Sequence, residues 1–361
     1  MNRRFLGGHT VAKSRVLVMG CGGIGGSLAG HLVEQGLDVC VVSRNVAVAR
    51  AVAQHGFRLA GGWSERAVPG RIQPQVPSGR FDHVFLATQP TDVEAAALQV
   101  RDRLTPHGRV ICLQNGLCEA RVARVLGDAS RVIGGVVSWG ASQSSPGVFD
   151  KTSSGGGFVL GRFDGQPDPA LEQLEAWLSA IGPVKHTKNL AGVRWSKLAL
   201  NCVVSAMGTL NGSTLGTVLG SRRARALSLQ IIAETVAVAE AQGVKLEKVA
   251  GTIDLGWMAN APKRPSVGRG ARHGVLVATG LKYRRMRSSM LRALEAGKPP
   301  AVDFLNGEVV AHGQRLGIPT PVNAQIVDRI WAMHRGEAKP GPALIEQIRV
   351  ASGLAEARGA R

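Results

Sequence analysis

Arg15-Val-Leu-Val-Met19 is a short apolar run, too short for a buried helix and suited to a strand covered on both faces. It passes directly into Gly20-Cys-Gly-Gly-Ile-Gly25-Gly. Residues 27–36 then carry apolar positions at helical spacing, and Val39-Cys-Val-Val42 predicts a second strand. Strand, glycine turn, helix, strand is the opening of a doubly wound α/β fold. The alternation continues with a helix over 45–55, and loops with room for a hairpin in the Gly- and Pro-rich stretch 61–79. A strand over 83–87, a helix over 91–104 and a strand over 109–113 follow, with further strands around 132–137 and 157–160.

After about His186 the period changes. Residues 192–207 and 224–242 are long helical stretches, the first containing Trp195, the second stopped by Gly243. Residues 251–280 are rich in Gly, Pro and basic side chains and predict no clear element. Helices over 288–296, 302–316 and 322–334 close the pattern, the last two separated by Gly317-Ile-Pro-Thr-Pro-Val322. The expected organisation is a Rossmann domain over 1–185, with 1–14 a mobile arm, an all-α domain over 186–340 and a C-terminal tail over 341–361.

Composition narrows the partners. No apolar run approaches the ~18 residues that span a bilayer, and the first fifteen residues are basic without an apolar core. Neither a membrane nor a secretory signal is expected, which points to the cytoplasm. Five scattered cysteines without a CxxC pair argue against a disulfide framework and against structural zinc, so no metal is expected. The net charge of +19 favours anionic ligands. Its Arg clusters are not interleaved with aromatic residues and the chain has one Tyr, which disfavours nucleic acid. A small-molecule substrate is the expected partner, and a homodimer is left open.

The chemistry starts at Gly20-x-Gly22-x-x-Gly25. The first Gly permits the tight turn, the second lets a pyrophosphate approach the backbone, and the third lets helix and sheet pack closely. The helix N-terminus behind them presents free amides to the phosphates. Gly20, Cys21, Gly22, Gly23, Ile24 and Gly25 are therefore the expected dinucleotide cradle. An NAD site places Asp or Glu at the end of the second strand; Ser43-Arg44-Asn45 places a cation there, suited to a 2′-phosphate. NADP(H) is the expected cofactor.

Further blocks are Leu113-Gln-Asn115-Gly116-Leu, Gly134-Gly135-Val-Val, Pro146-Gly147-Val, Arg194-Trp195-Ser-Lys197-Leu-Ala-Leu-Asn201, Ser288-Ser289-Met290, Asp303-Phe-Leu-Asn306-Gly307 and Gly317-Ile-Pro-Thr-Pro-Val-Asn323. In that order and spacing, from Val16 to about Asn323, the chain resembles the ketopantoate reductase (2-dehydropantoate 2-reductase) family, as a divergent member. The resemblance implies a Rossmann domain followed by a helical domain, with the substrate in the cleft between them. It further implies hydride transfer from NADPH to the carbonyl carbon of a 2-oxo acid. The family's general acid falls on Lys197 and its substrate-binding Asn on Asn201. Asn115 falls near the nicotinamide ribose, though Asn-Gly also forms a plain turn. Gln89 and Ala141 complete the expected coenzyme set.

The residues themselves agree. On a helix, Lys197, Asn201 and Ser205 recur every four positions and share a face. Carbonyl reduction needs a proton donor where negative charge develops on oxygen, and an ammonium supplies both charge and proton. Ser289, at a helix start, suits a substrate carboxylate or a plain N-cap. The departures are specific. Gln89 stands where the family has Lys, Ala301 where it has its active-site Glu, and Met286 and Leu215 where it has Asn. Asp303 and Glu295 are the carboxylates available to stand in for the missing Glu. Together these changes predict a bulkier or less polar substrate than ketopantoate. A reductase of another C=O or C=N compound is the alternative, and a non-catalytic NADP- or polyanion-binding protein the remaining one.

Overall fold

The computed structural model describes residues 14–61, 64–153, 155–248, 253–260 and 267–354. The arm expected over 1–14 lies outside them apart from Ser14. The chain divides into two compact units, Met1–Gln114 with Arg121–Thr187, and Asn115–Ala120 with Lys188–Arg361.

In the first unit the elements run β1 (Arg15–Met19), α1 (Gly23–Glu34), β2 (Asp38–Val42), α2 (Val46–His55), β3 (Phe57–Gly61), β4 (Ser64–Val68), β5 (Phe81–Leu86), α3 (Val93–Val100) and β6 (Leu104–Cys112). After α4 (Glu119–Leu126) come β7 (Val132–Val137), β8 (Ala141–Ser145), β9 (Val148–Lys151), β10 (Phe158–Arg162), α5 (Ala170–Leu178) and β11 (Val184–His186). Seven strands form one sheet in the order β11-β10-β7-β6-β5-β1-β2. From β7 to β2 every pairing is parallel; β10 joins β7 antiparallel, and β11 runs parallel to β10. Strand β7 is buried over all six residues of Val-Ile-Gly-Gly-Val-Val, and β1 and β5 over all but one residue each.

A second sheet, β4-β3-β9-β8, departs from the simple alternation. The strand after α2 leaves the large sheet and pairs with β4 and β9 instead. Helix α1 packs against β1 and β2 of the large sheet and against β3, β8 and β9 of the small one. Glycines make that double contact possible. A Cβ on Gly26 would stand 2.0 Å from Cε1 of buried Phe149, and one on Gly30 would stand 2.7 Å from Leu59.

The second unit is helical: α6 (Leu190–Asn211), α7 (Leu215–Gly220), α8 (Arg222–Ala241), α9 (Leu255–Ala259), α10 (Val267–Lys282), α11 (Ser289–Glu295), α12 (Asn306–Leu316), α13 (Pro321–His334) and α14 (Pro342–Ala351). Helix α6 is capped by Asn189, whose side chain accepts from the Gly192 amide at 3.0 Å, and ends at Gly212 with φ +68°. Its neighbours include α8, α11, α13 and α14. Thr320 gives α13 no side-chain cap, and Glu234 of α8 replaces one. The Glu234 carboxylate accepts from the Val322 and Asn323 amides at 2.9 Å each and from Asn323 Nδ2 at 2.7 Å. Residues 341–361 were expected as a tail, but α14 occupies their first half and buries Leu344, Ile345 and Ile348 in the helical core. Those three positions, i, i+1 and i+4, mark one helix face, a pattern too short to stand out beside the basic end. Residues 355–361 lie outside the described ones. Among the described residues no helix is long and apolar enough to cross a membrane.

Candidate active site

The coenzyme end is built at β1. This strand lies between β5 and β2, so the chain order reverses across it, and such switch points are where open α/β sheets receive ligands. Gly20 leaves β1 at φ +98°, a left-handed conformation that favours glycine. A Cβ there would lie 2.8 Å from the Ala87 backbone at the end of β5. A Cβ on Gly25 would meet the Gly20 carbonyl oxygen at 2.0 Å. A Cβ on Gly23 would meet the Ala141 backbone at 2.8 Å, which brings Ala141 to the start of α1. At Gly22 a side chain would meet no described atom within 4 Å. Helix α1 has no side-chain cap, unlike α2, which Asn45 caps with bonds to the Ala47 and Val48 amides. Its first amides are thus left to an incoming anion, and the cradle fits a dinucleotide pyrophosphate. Cys21 is buried inside this turn, and burial pushes its thiol up to about 12, so it serves as a small apolar residue.

The flanks are more open. Arg44 follows β2 with a side chain 84% exposed, and its guanidinium pairs with Asp92 at 3.2 Å. Gln89 is exposed and leads the turn at the end of β5, where its carbonyl accepts from the Asp92 amide at 3.0 Å. Gln114 Nε2 donates to Thr88 Oγ1 at 3.2 Å, tying the ends of β6 and β5. Asn115 is exposed and groups with the second unit; its carbonyl receives the Cys118 thiol at 3.6 Å. Gly116, at φ +89°, sits so close to Phe304 that a Cβ would lie 2.3 Å from the Phe304 carbonyl oxygen.

The second group lies on α6. Trp195, Leu198, Ala199 and Cys202 are buried and hold the helix in its core. Lys197, Asn201 and Ser205 are only partly buried and run along one face. Nδ2 of Asn201 is buried and has no hydrogen-bond partner among the described residues. Such an orphan amide is costly unless a ligand completes it. The Ser205 carbonyl accepts from Thr209 Oγ1 at 2.7 Å and from Ser288 Oγ at 3.0 Å, which docks the start of α11 onto α6. Ser288 also caps α11 by accepting from the Leu291 amide at 3.4 Å. The capping role considered for Ser289 therefore falls to its neighbour, and Ser289 itself is exposed.

Two residues that pattern reading missed shape the charge here. Arg194 and Glu119 form an ion pair with both side chains 3% exposed. Arg194 lies one turn before Lys197 on α6, and Glu119 opens α4. The Lys197 ammonium is pushed down to about 7, first by burial and then by Arg194, with Glu119 acting in the opposite direction. Neither expected stand-in carboxylate takes that place. Glu295 pairs with Arg287 at 2.7 Å, and Asp303 accepts from Trp331 Nε1 at 2.9 Å. Arg194 was within reach of a sequence argument, being three residues from Lys197. Glu119 was not, since nothing local joins it to a distant helix.

Comparison with known proteins matches both units. The family pattern described as "Ketopantoate reductase PanE/ApbA" matches residues 16–165, and "Ketopantoate reductase PanE/ApbA C terminal" matches residues 189–334. The 2-dehydropantoate 2-reductase of Pyrococcus horikoshii is 21% identical over 328 residues, covering 91% of this chain and 98% of that protein. A solved PanE/ApbA family ketopantoate reductase from Ralstonia eutropha is 25% identical with a TM-score of 0.72, covering 90% and 99%. The ternary structure of D-mandelate dehydrogenase with NADH and anilino(oxo)acetate has a TM-score of 0.77 at 16% identity, over 90% and 99%, a likeness of fold.

Proposed function

The chain belongs to the ketopantoate reductase family, and from that premise we propose that it is an NADPH-dependent reductase of a 2-oxo acid with Lys197 as general acid. The observation that carries the reading is Lys197 on one face of α6 with Asn201, whose buried amide nitrogen lacks a partner among the described residues. Gly20, Cys21, Gly22, Gly23, Ile24, Gly25 and Ala141 would hold the pyrophosphate, with Arg44 toward the 2′-phosphate and Gln89 and Asn115 at the flanks. NADPH, when bound, supplies the hydride that the carbonyl carbon accepts.

The chain's own part is the proton. As the carbonyl bond opens, Lys197 Nζ donates a proton to the oxygen, leaving a neutral amine and a hydroxyl. Asn201 Nδ2 donates a hydrogen bond that orients the substrate, with Ser205 and Ser289 as further hydroxyl contacts. A general acid works best with a pKa near the working pH, and a lysine drawn down to about 7 meets that condition. Ala301 offers a methyl group where the family has a carboxylate, which supports a less polar substrate than ketopantoate.

NADPH absorbance followed against ketopantoate and a series of 2-oxo acids tests the reading. Because the proton must be on Lys197 before transfer, the rate of reduction is expected to fall as pH rises through about 7. Lys197→Ala is expected to lower kcat by about 10²–10⁴-fold while leaving coenzyme affinity unchanged. A Lys197→Ala variant that turns over normally would remove the proposed acid.

A further inference from the structure

Within the site on α6 the Glu119–Arg194 pair is a charged arrangement with no assigned task. Both side chains are out of water, which is costly for charges unless the geometry repays it. Glu119 is not placed by a flexible loop. The segment that carries it is fixed by Gly116 against Phe304 and by the Cys118 thiol on the Asn115 carbonyl. Arg194 is fixed by α6, with buried Trp195 beside it. Three residues further on the same helix stands Lys197, at the i, i+3 spacing that makes side chains neighbours on a helix surface.

We propose that the Glu119–Arg194 pair is a positioning pair that sets the charge around Lys197: the guanidinium repels the ammonium, and the carboxylate paired to it offsets part of that repulsion. The proposal rests on the reading of Lys197 as proton donor and adds what tunes it. Two further buried carboxylates stand on the helices around α6. Glu234 of α8 serves the amides of α13, and Glu308 of α12 lies 3.8 Å from His312, whose ring meets Trp195 edge-on. The two members of the pair act with opposite sign on Lys197, and the guanidinium acts more strongly. That inequality makes the device testable by the direction of two changes rather than by a loss. In Glu119→Gln the guanidinium is left uncompensated, so Lys197 should give up its proton at lower pH. In the double variant Glu119→Gln/Arg194→Met both influences are gone, and the proton should be held to higher pH than in the native protein. The double variant also removes the stranded buried charge, so it guards against a fold lost through Glu119→Gln alone.

The readout is the protonation midpoint of Lys197, measured without turnover. Limiting acetic anhydride is applied across a pH series, with isotope-coded mass spectrometry of the peptide that carries Lys197. A native midpoint near 7 is expected, moving down in Glu119→Gln and up in the double variant, each by on the order of one pH unit. A native midpoint in the ordinary lysine range overturns the proposal, as do two variants that leave it unmoved or shift it in the same direction. Opposite shifts combined with an active Lys197→Ala enzyme would keep the pair's role and sink the proton-donor reading instead.

Discussion

Arg44 stands at the end of β2 with its guanidinium 3.2 Å from the Asp92 carboxylate, a partner that comes from the far side of β1. The cation was legible in Ser43-Arg44-Asn45. The acid was not, because it enters from the turn after β5, with α2, β3, β4 and β5 in between. Its presence changes the argument about coenzyme choice. A 2′-phosphate approaching Arg44 must displace or tolerate a carboxylate already on the guanidinium, whereas a ribose 2′-hydroxyl could donate to Asp92. With side chains 84% and 44% exposed, the pair is screened by water, and such pairs are worth about 0–1 kcal/mol. Asp92→Asn should therefore tighten binding of 2′,5′-ADP and NADP+ by up to about five-fold at low salt, with NAD+ affinity unchanged or weakened. Fluorescence titration of the three ligands checks this. Unaltered affinity for 2′,5′-ADP would mean that Arg44 does not meet the phosphate.

Helix α1 carries the cradle, and its seat between two sheets is what fixes the cradle's aim. The glycine turn and the first β-α-β pass were readable because turn chemistry and hydrophobic period point the same way there. Of the small sheet only loops with room for a hairpin in 61–79 were expected, whereas the hairpin is β3–β4 and its first strand, Phe57–Gly61, precedes that stretch. Its strands are five residues or fewer, and β8 is Ala-Ser-Gln-Ser-Ser, with no apolar alternation to give it away. Helix 91–104 shrank to α3 for a related reason. Three-residue 3₁₀ turns flank it at both ends, and Leu104 already belongs to β6. Gly26 shows what the second sheet demands: with Phe149 Cε1 2.0 Å from an added Cβ, Gly26→Ala forces the ring or the helix to shift. Overpacking of this kind costs about 1–3 kcal/mol, and urea denaturation should register it. The double variant Gly26→Ala/Phe149→Leu should recover part of the loss, since a smaller side chain frees the volume. Equal stability of the single variant and the native protein would mean that α1 does not press on β9.

Each unit has its own buried core, and an excess of positive charge extends over both, +19 in total. Around His273, Arg225, Arg269 and Arg222 join burial in lowering the imidazole's pKa, and the Arg272 guanidinium lies 4.4 Å over the Trp257 ring. The change of period after His186 announced the helical unit, but charge of this kind leaves no motif, so its use has to be argued from physics. A dinucleotide phosphate is a polyanion, and a field of one sign raises its encounter rate without adding contacts. The field acts over about a Debye length, ~10 Å at 0.1 M salt and ~3 Å at 1 M, whereas contacts in the glycine cradle act at hydrogen-bond range. Salt should therefore slow arrival more than it speeds departure. Stopped-flow measurement of NADPH fluorescence is expected to show the association rate constant falling by on the order of ten-fold between low salt and 1 M, with a smaller change in dissociation. An association rate indifferent to salt would place the positive charge outside coenzyme capture and leave only the local cations, Arg44 foremost, to draw the phosphates in.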